Sequence, residues 1–197
     1  MTTNISRLYD TNAEAQRVMA DLRSAGIPEA DISLISNSGE GAESMPDAAD
    51  GATTGAGVGA AVGGGAGLLA GLGIMAIPGV GPIVAAGWMA ATLTGLVAGA
   101  VTGAAAGGIV GALTDNGVDE RDAHVYAEAI RRGGSLVLVK TDDQRRMNVE
   151  SILDRHSPVT VSDRRSAYEG EGWKSFDDKS EPYVRTDVGS ARRTGTM

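Results

Sequence analysis

The chain has 197 residues, a formal net charge of -8, 42% apolar side chains, 4% aromatic ones and no cysteine. The lack of cysteine excludes disulfides and thiolate chemistry, and the acidic balance excludes the basic footprint on which nucleic-acid binding depends. Much of the apolar content is Ala and Gly gathered in one central block, so a single core drawing on the whole chain is not expected.

The N-terminus carries no basic segment followed by an apolar one, so no cleaved signal peptide is expected and the residues before the block are placed in the cytoplasm. Residues 5–9 predict a strand. Thr11 followed by Glu14 is a capping-box pattern, and Ala15, Val18, Met19 and Leu22 line one face of the helix that it opens. Gly26 ends that helix, Ile27-Pro28 makes the turn, and Ile32-Ser33-Leu34-Ile35 predicts a second strand. Residues 1–36 therefore read as the first half of an α+β domain. Residues 37–50 are polar, with Gly39, Gly41 and Pro46 and no apolar period, and read as a flexible acidic linker.

Residues 51–114 contain no charged side chain. Within them Gly51, Gly55, Gly59, Gly63, Gly67 and Gly71 recur every fourth position; after Pro78-Gly79-Val80-Gly81-Pro82 the period resumes at Gly87, Ala91, Gly95, Gly99, Gly103, Gly107 and Gly111. On a helix, positions four apart stack on nearly one side, so each stripe predicts a groove where another backbone approaches closely. The block reads as a glycine-zipper helical hairpin with Pro78, Gly79, Gly81 and Pro82 at its turn. Its halves, 52–77 and 83–113, would be about 39 and 46 Å long as helices against about 30 Å of hydrocarbon, so length permits a membrane crossing. Large apolar residues are few and each interior glycine costs about 0.5 to 1 kcal/mol, so such helices are stable only when packed against a partner. Three arrangements follow: a membrane-inserted or membrane-associated hairpin, a water-soluble bundle or shell, or a low-complexity linker. Trp88 reads either as an interfacial anchor or as a packing residue.

Asp119, Glu120 and Asp122 predict a helix start, with Ala123, Tyr126, Ala127 and Ile130 on its apolar face up to Gly133-Gly134. Leu136-Val137-Leu138-Val139 is a continuous apolar run of the kind found in a strand covered on both faces. Thr141 with Gln144 is a second capping-box pattern, Val149, Ile152 and Leu153 give the next helix its apolar face, and Val159-Thr160-Val161 predicts a fourth strand. Residues 115–164 thus form the second half of the domain. Residues 165–197, polar and charge-balanced, read as a disordered tail in which Tyr168, Trp173, Phe176 and Tyr183 could serve as a short partner-binding motif. The expected fold class is α+β: a split ferredoxin-like βαβ/αβαβ sandwich, interrupted by the glycine-zipper hairpin and followed by the tail.

No cofactor or metal is expected. Residues 65–70 match a GxGxxA dinucleotide fingerprint only because the tract is rich in Gly and Ala, and no strand leads into them. His124 and His156 fall on different predicted helices, and the acidic groups at 119–122 and 142–143 sit where helix starts want negative charge. No nucleophile, base and orienting group are tied together, so no enzymatic activity is expected.

The stretch "ISRLYDTNAEAQRVMADLRSAGIPEADISLIS", the block centred on "GLGIMAIPGVGPIVAAG" and the returning "GVDERDAHVYAEAIRRGGSLVLVKT" resemble bacterial general stress proteins of the YflT type over residues 4 to about 162. The resemblance implies a stress-induced bacterial protein with a split ferredoxin-like domain and no catalytic residues. The expected function is that of a non-enzymatic stress-response protein that self-associates through the zipper, in or on the cytoplasmic membrane with its soluble domain facing the cytoplasm. Two alternatives stand beside it: a cytoplasmic soluble assembly built as a ring or shell, and a small-molecule-sensing domain. The expected partners are further copies of the chain and a lipid bilayer.

Overall fold

The computed structural model describes residues 2–37, 73–77, 80–99, 108–180 and 183. In chain order these form β1 (Thr2–Tyr9), α1 (Asn12–Ser24), a single 3-10 turn (Glu29–Asp31) and β2 (Ile32–Asn37). Beyond the undescribed 38–72 come β3 (Gly73–Ile77), β4 (Gly81–Ala86), α2 (Trp88–Gly99) and α3 (Gly108–Asp115). Then follow α4 (Glu120–Arg131), β5 (Ser135–Asp142), α5 (Arg146–Asp154) and α6 (Val161–Gly170).

The fold is α+β. Its five strands form one sheet in the order β1-β5-β2-β4-β3, with every neighbouring pair antiparallel. Strand β5 lies inside the sheet because its side chains are apolar in both directions: Val137 and Val139 join one core, Leu136 and Leu138 the other. The first core is covered by α1 and α5, through Ala15, Val18, Met19 and Leu22 and through Val149, Ile152 and Leu153. Each large side chain buried there contributes about 1.5 to 3 kcal/mol, as an upper estimate. On the opposite face α2, α3, α4 and α6 contribute Met89, Leu93, Ile109, Leu113, Tyr126, Ile130 and Tyr168 to the second core. The sheet is therefore sandwiched between two helical layers.

Local chemistry explains where the elements begin. Thr11 caps α1 in a full capping box with Glu14, and Asp119 caps α4 by accepting from Arg121 N–H. The pair expected at Thr141 and Gln144 does not form; α5 starts later, and Asp142 Oδ1 accepts Arg145 N–H at 2.9 Å. That hydrogen bond, with the Arg145 guanidinium beside it, holds the Asp142 carboxyl below its ordinary range. The Tyr9 phenol, whose pKa burial pushes well above its ordinary value, donates to Leu153 O at 2.9 Å and ties β1 to α5.

Three expectations are corrected. Residues 73–77 and 81–86 are strands β3 and β4, not flanks of a helical hairpin, although the chain does reverse between them at the expected Pro-Gly segment. The fourth strand expected at 159–161 is reduced to one bridge, in which Val159 N–H donates to Leu8 O at 2.8 Å. Ser157 turns there with φ 51°, Pro158 has no N–H to donate, and Val161 already opens α6. Residues 165–180, expected to be disordered, instead continue α6 and a following segment whose Tyr168 and Phe176 are buried in the second core.

Candidate self-association surface

The residues singled out in the charge-free block fall into four groups. Gly51, Gly55, Gly59, Gly63, Gly67, Gly71, Pro78, Gly79, Gly103 and Gly107 lie outside the described residues. Gly81 and Pro82 open β4, with Gly81 at φ 91°. Ala91, Gly95 and Gly99 stand on α2, and Gly111 on α3.

Gly87 forms the last group alone, and its role differs from the one expected. It is not in a helix: it makes the bend between β4 and α2 with φ 77°, and a Cβ built there would meet Ile32 O at 2.1 Å. Glycine is required twice over, by the left-handed backbone and by the approach to β2. Ser33, fully buried beside it, donates its hydroxyl to Ala86 O at 2.6 Å and accepts Met89 N–H at 3.2 Å. The start of α2 is thereby clamped to β2.

This clamp fixes how α2 faces the core. Met89, Ala90 and Leu93 are buried, whereas Ala91 is exposed. By helical spacing Gly95 stands about 40° and Gly99 about 80° round the helix from Ala91, so the stripe starts at the exposed Ala91 and drifts toward the side of Met89. Trp88, at the head of α2, packs against the second core and lies under Lys140, whose ammonium is 3.9 Å from the ring centroid. Among the described residues no helix is long and apolar enough to cross a membrane.

The charged part of the molecule is organised differently. Glu128, 1% exposed, accepts from Arg131 at 2.7 Å and from Arg132 at 2.6 Å. Burial opposes its ionisation, but the two guanidinium hydrogen bonds outweigh that cost and hold its carboxyl below the ordinary range. Arg132 also pairs with Glu171 and stacks 4.1 Å from the Tyr168 ring, and Tyr168 meets Trp173 edge to face at 5.7 Å. Arg164 pairs with Asp10, and Arg165 with Asp122. Together these contacts bind α6 to α4 and to the loop after β1. Sequence reasoning missed this docking because its partners are far apart in the chain; the aromatics at 168, 173 and 176 were its only local trace.

Of the two histidines, His156 Nε2 lies 2.9 Å from Asp21 Oδ2 and links α5 to α1. His124 Nδ1 is buried without a hydrogen-bond partner among the described residues. Among the described residues no three His, Cys, Asp or Glu side chains are grouped to hold a metal ion. No family model, curated protein or solved structure matches the chain.

Proposed function

We propose that the chain is a non-enzymatic protein of the bacterial stress-response class that associates with further copies of itself through its charge-free segment. The observation that carries this reading is the exposed Ala91 on α2, the head of an Ala91, Gly95, Gly99 stripe, in a run that holds no charge inside a chain of net charge -8. Copies carrying that charge repel one another, and the run is the longest part of the chain that two of them can bring together without opposing acid to acid. Small residues at every fourth position let helix backbones approach, which offsets the helix cost of the glycines. The α+β domain is read as ferredoxin-like, with Val159 against β1 as the remnant of an edge strand and the β3–β4 hairpin as an addition at the other side; the order of strands supports that descent. The stress-response assignment rests on the resemblance of the three sequence stretches.

Filling the stripe tests the reading. The double variant Gly95→Leu, Gly99→Leu should lower the mass seen by light scattering after size exclusion while circular dichroism stays unchanged. Unchanged mass in the folded variant would count against the reading.

The length of the uncharged run favours a second reading, in which these contacts are made at a lipid bilayer. High-speed centrifugation of a lysate without detergent separates the two. Sedimentation with the membranes supports the bilayer, and a homogeneous particle left in the supernatant rejects it.

A further inference from the structure

The two sides of the sheet end differently. Beyond β1, Val159 bridges to Leu8, and Arg7 pairs with Asp154 at 2.8 Å. Beyond β3 there is, among the described residues, no further strand or bridge. Natural edge strands are blunted by charge, proline or a bulge, because a row of unpaired N–H and C=O groups templates another strand. Strand β3 reads Gly73-Ile74-Met75-Ala76-Ile77 and contains no charge and no proline, and its pairing with β4 runs without a bulge.

We propose that β3 pairs antiparallel with β3 of a second copy across a two-fold axis, joining two sheets into one. The register follows from Pro82. It stands opposite Ala76 and has no N–H, which suits a pair that exchanges no hydrogen bonds. Alternation along the ladder then turns the main-chain groups of Ile74 and Ala76 outward. In a two-fold pair centred on Met75, Ile74 faces the partner's Ala76 and bonds with it in both directions, and the two Met75 residues meet at the close, non-hydrogen-bonded position.

A second copy is the occupant that the chemistry favours. An unrelated strand would have to be selected by charge or by side-chain pockets, and β3 offers no charge for that purpose. A copy brings a strand of equal length, and the contact lies inside the uncharged run, so the negative charges of two protomers stay away from it. This inference rests on the reading that the chain self-associates, and it names the geometry of one contact.

The full-length chain has no cysteine, which makes a single introduced thiol a clean reporter. Opposed residues at a non-hydrogen-bonded position have Cα atoms about 4.5 Å apart, within disulfide range. Met75→Cys should therefore give a covalent dimer on mild oxidation, reversed by reductant. Met147→Cys, exposed on α5, should stay monomeric on the same gel. Ala76→Pro removes an outward N–H and spares the β3–β4 ladder, so sedimentation velocity should show the dissociation constant rising at least tenfold. Unchanged association of a folded Ala76→Pro protein, or no Met75→Cys dimer where the wild type is associated, overturns the proposal; if Ala76→Pro fails to fold, the disulfide decides alone. Loss of association in the α2 double variant but not in Ala76→Pro defeats the β3 contact only. A wild-type chain that stays monomeric defeats both.

Discussion

Gly87 shows how much of this fold hangs on single atoms. Substitution by Ala imposes a left-handed backbone on an L-residue, about 1 to 2 kcal/mol, and drives a methyl group into Ile32 O, which requires β2 and α2 to move apart at an overpacking cost of about 1 to 3 kcal/mol. Gly87→Ala should therefore lower stability in urea by roughly 2 to 5 kcal/mol. Gly26→Ala is the control: φ is 80° there too, but a Cβ meets nothing within 4 Å, and only the backbone term of about 1 to 2 kcal/mol should appear. Equal losses at the two positions would contradict the clamp. Glu128 carries a second residue-scale prediction, in pH. Its folded-state pKa is below the ordinary value of 4.5, so its contribution is fully present above that pH and is lost as pH falls through the lower folded value. Glu128→Gln should cost about 1.5 to 3 kcal/mol at pH 7 in chemical denaturation, with the gap to wild type narrowing below pH 4.5. A gap that stays constant down to pH 3 would show that the arginine pair is not what the carboxylate is for.

Among the elements, α6 is held from outside itself. Its own sequence offers little beyond Val161, Ala167 and Tyr168 for an apolar face, so the helix depends on Tyr168 lying among the residues of the second core and under Arg132. Tyr168→Ala should cost about 3 kcal/mol and open within residues 161–180 a site of limited proteolysis that the wild type lacks. Absence of new cleavage there would show that the ion pairs to Asp10, Asp122 and Glu171 suffice to hold it. The same dependence explains which elements were legible. Helix α1 was read correctly because Thr11, Glu14 and the spacing of Ala15, Val18, Met19 and Leu22 are all local; β5 was read as interior because its apolar run leaves it no polar face. Strands β3 and β4 were misread because the four-residue glycine period was given precedence over two short apolar runs, Ile74 to Ile77 and Ile83 to Val84, on either side of a Pro-Gly turn. Proline is disfavoured in an interior strand, yet β4 tolerates Pro82: pairing with β2 reaches only to Ile83, so the missing N–H costs that ladder nothing.

At the scale of the whole molecule, charge and its absence are segregated. A His156–Asp21 hydrogen bond joins the turn after α5 to α1, and an ion pair binds α4 to α6, while the uncharged run supplies β3, which is the edge of the sheet among the described residues, and the exposed start of the α2 stripe. The candidate surface was legible in composition and not in shape. The lack of charge and the glycine spacing marked the segment, but its conversion from a helical hairpin to a β-hairpin followed by helices depends on β2 being free to accept β4, a tertiary fact with no local sign. The second half of the stripe is helical at Ala91, Gly95 and Gly99, so the proposed association through it is compatible with the change of architecture. The most direct test is the mass of the full-length chain by sedimentation velocity in detergent-free buffer, from about 1 to 100 μM, the range in which modest interfaces assemble. Association through the uncharged run predicts species heavier than the 20.0 kDa protomer, rising with concentration and lost in the Gly95→Leu, Gly99→Leu variant. A single 20.0 kDa species at every concentration would contradict it.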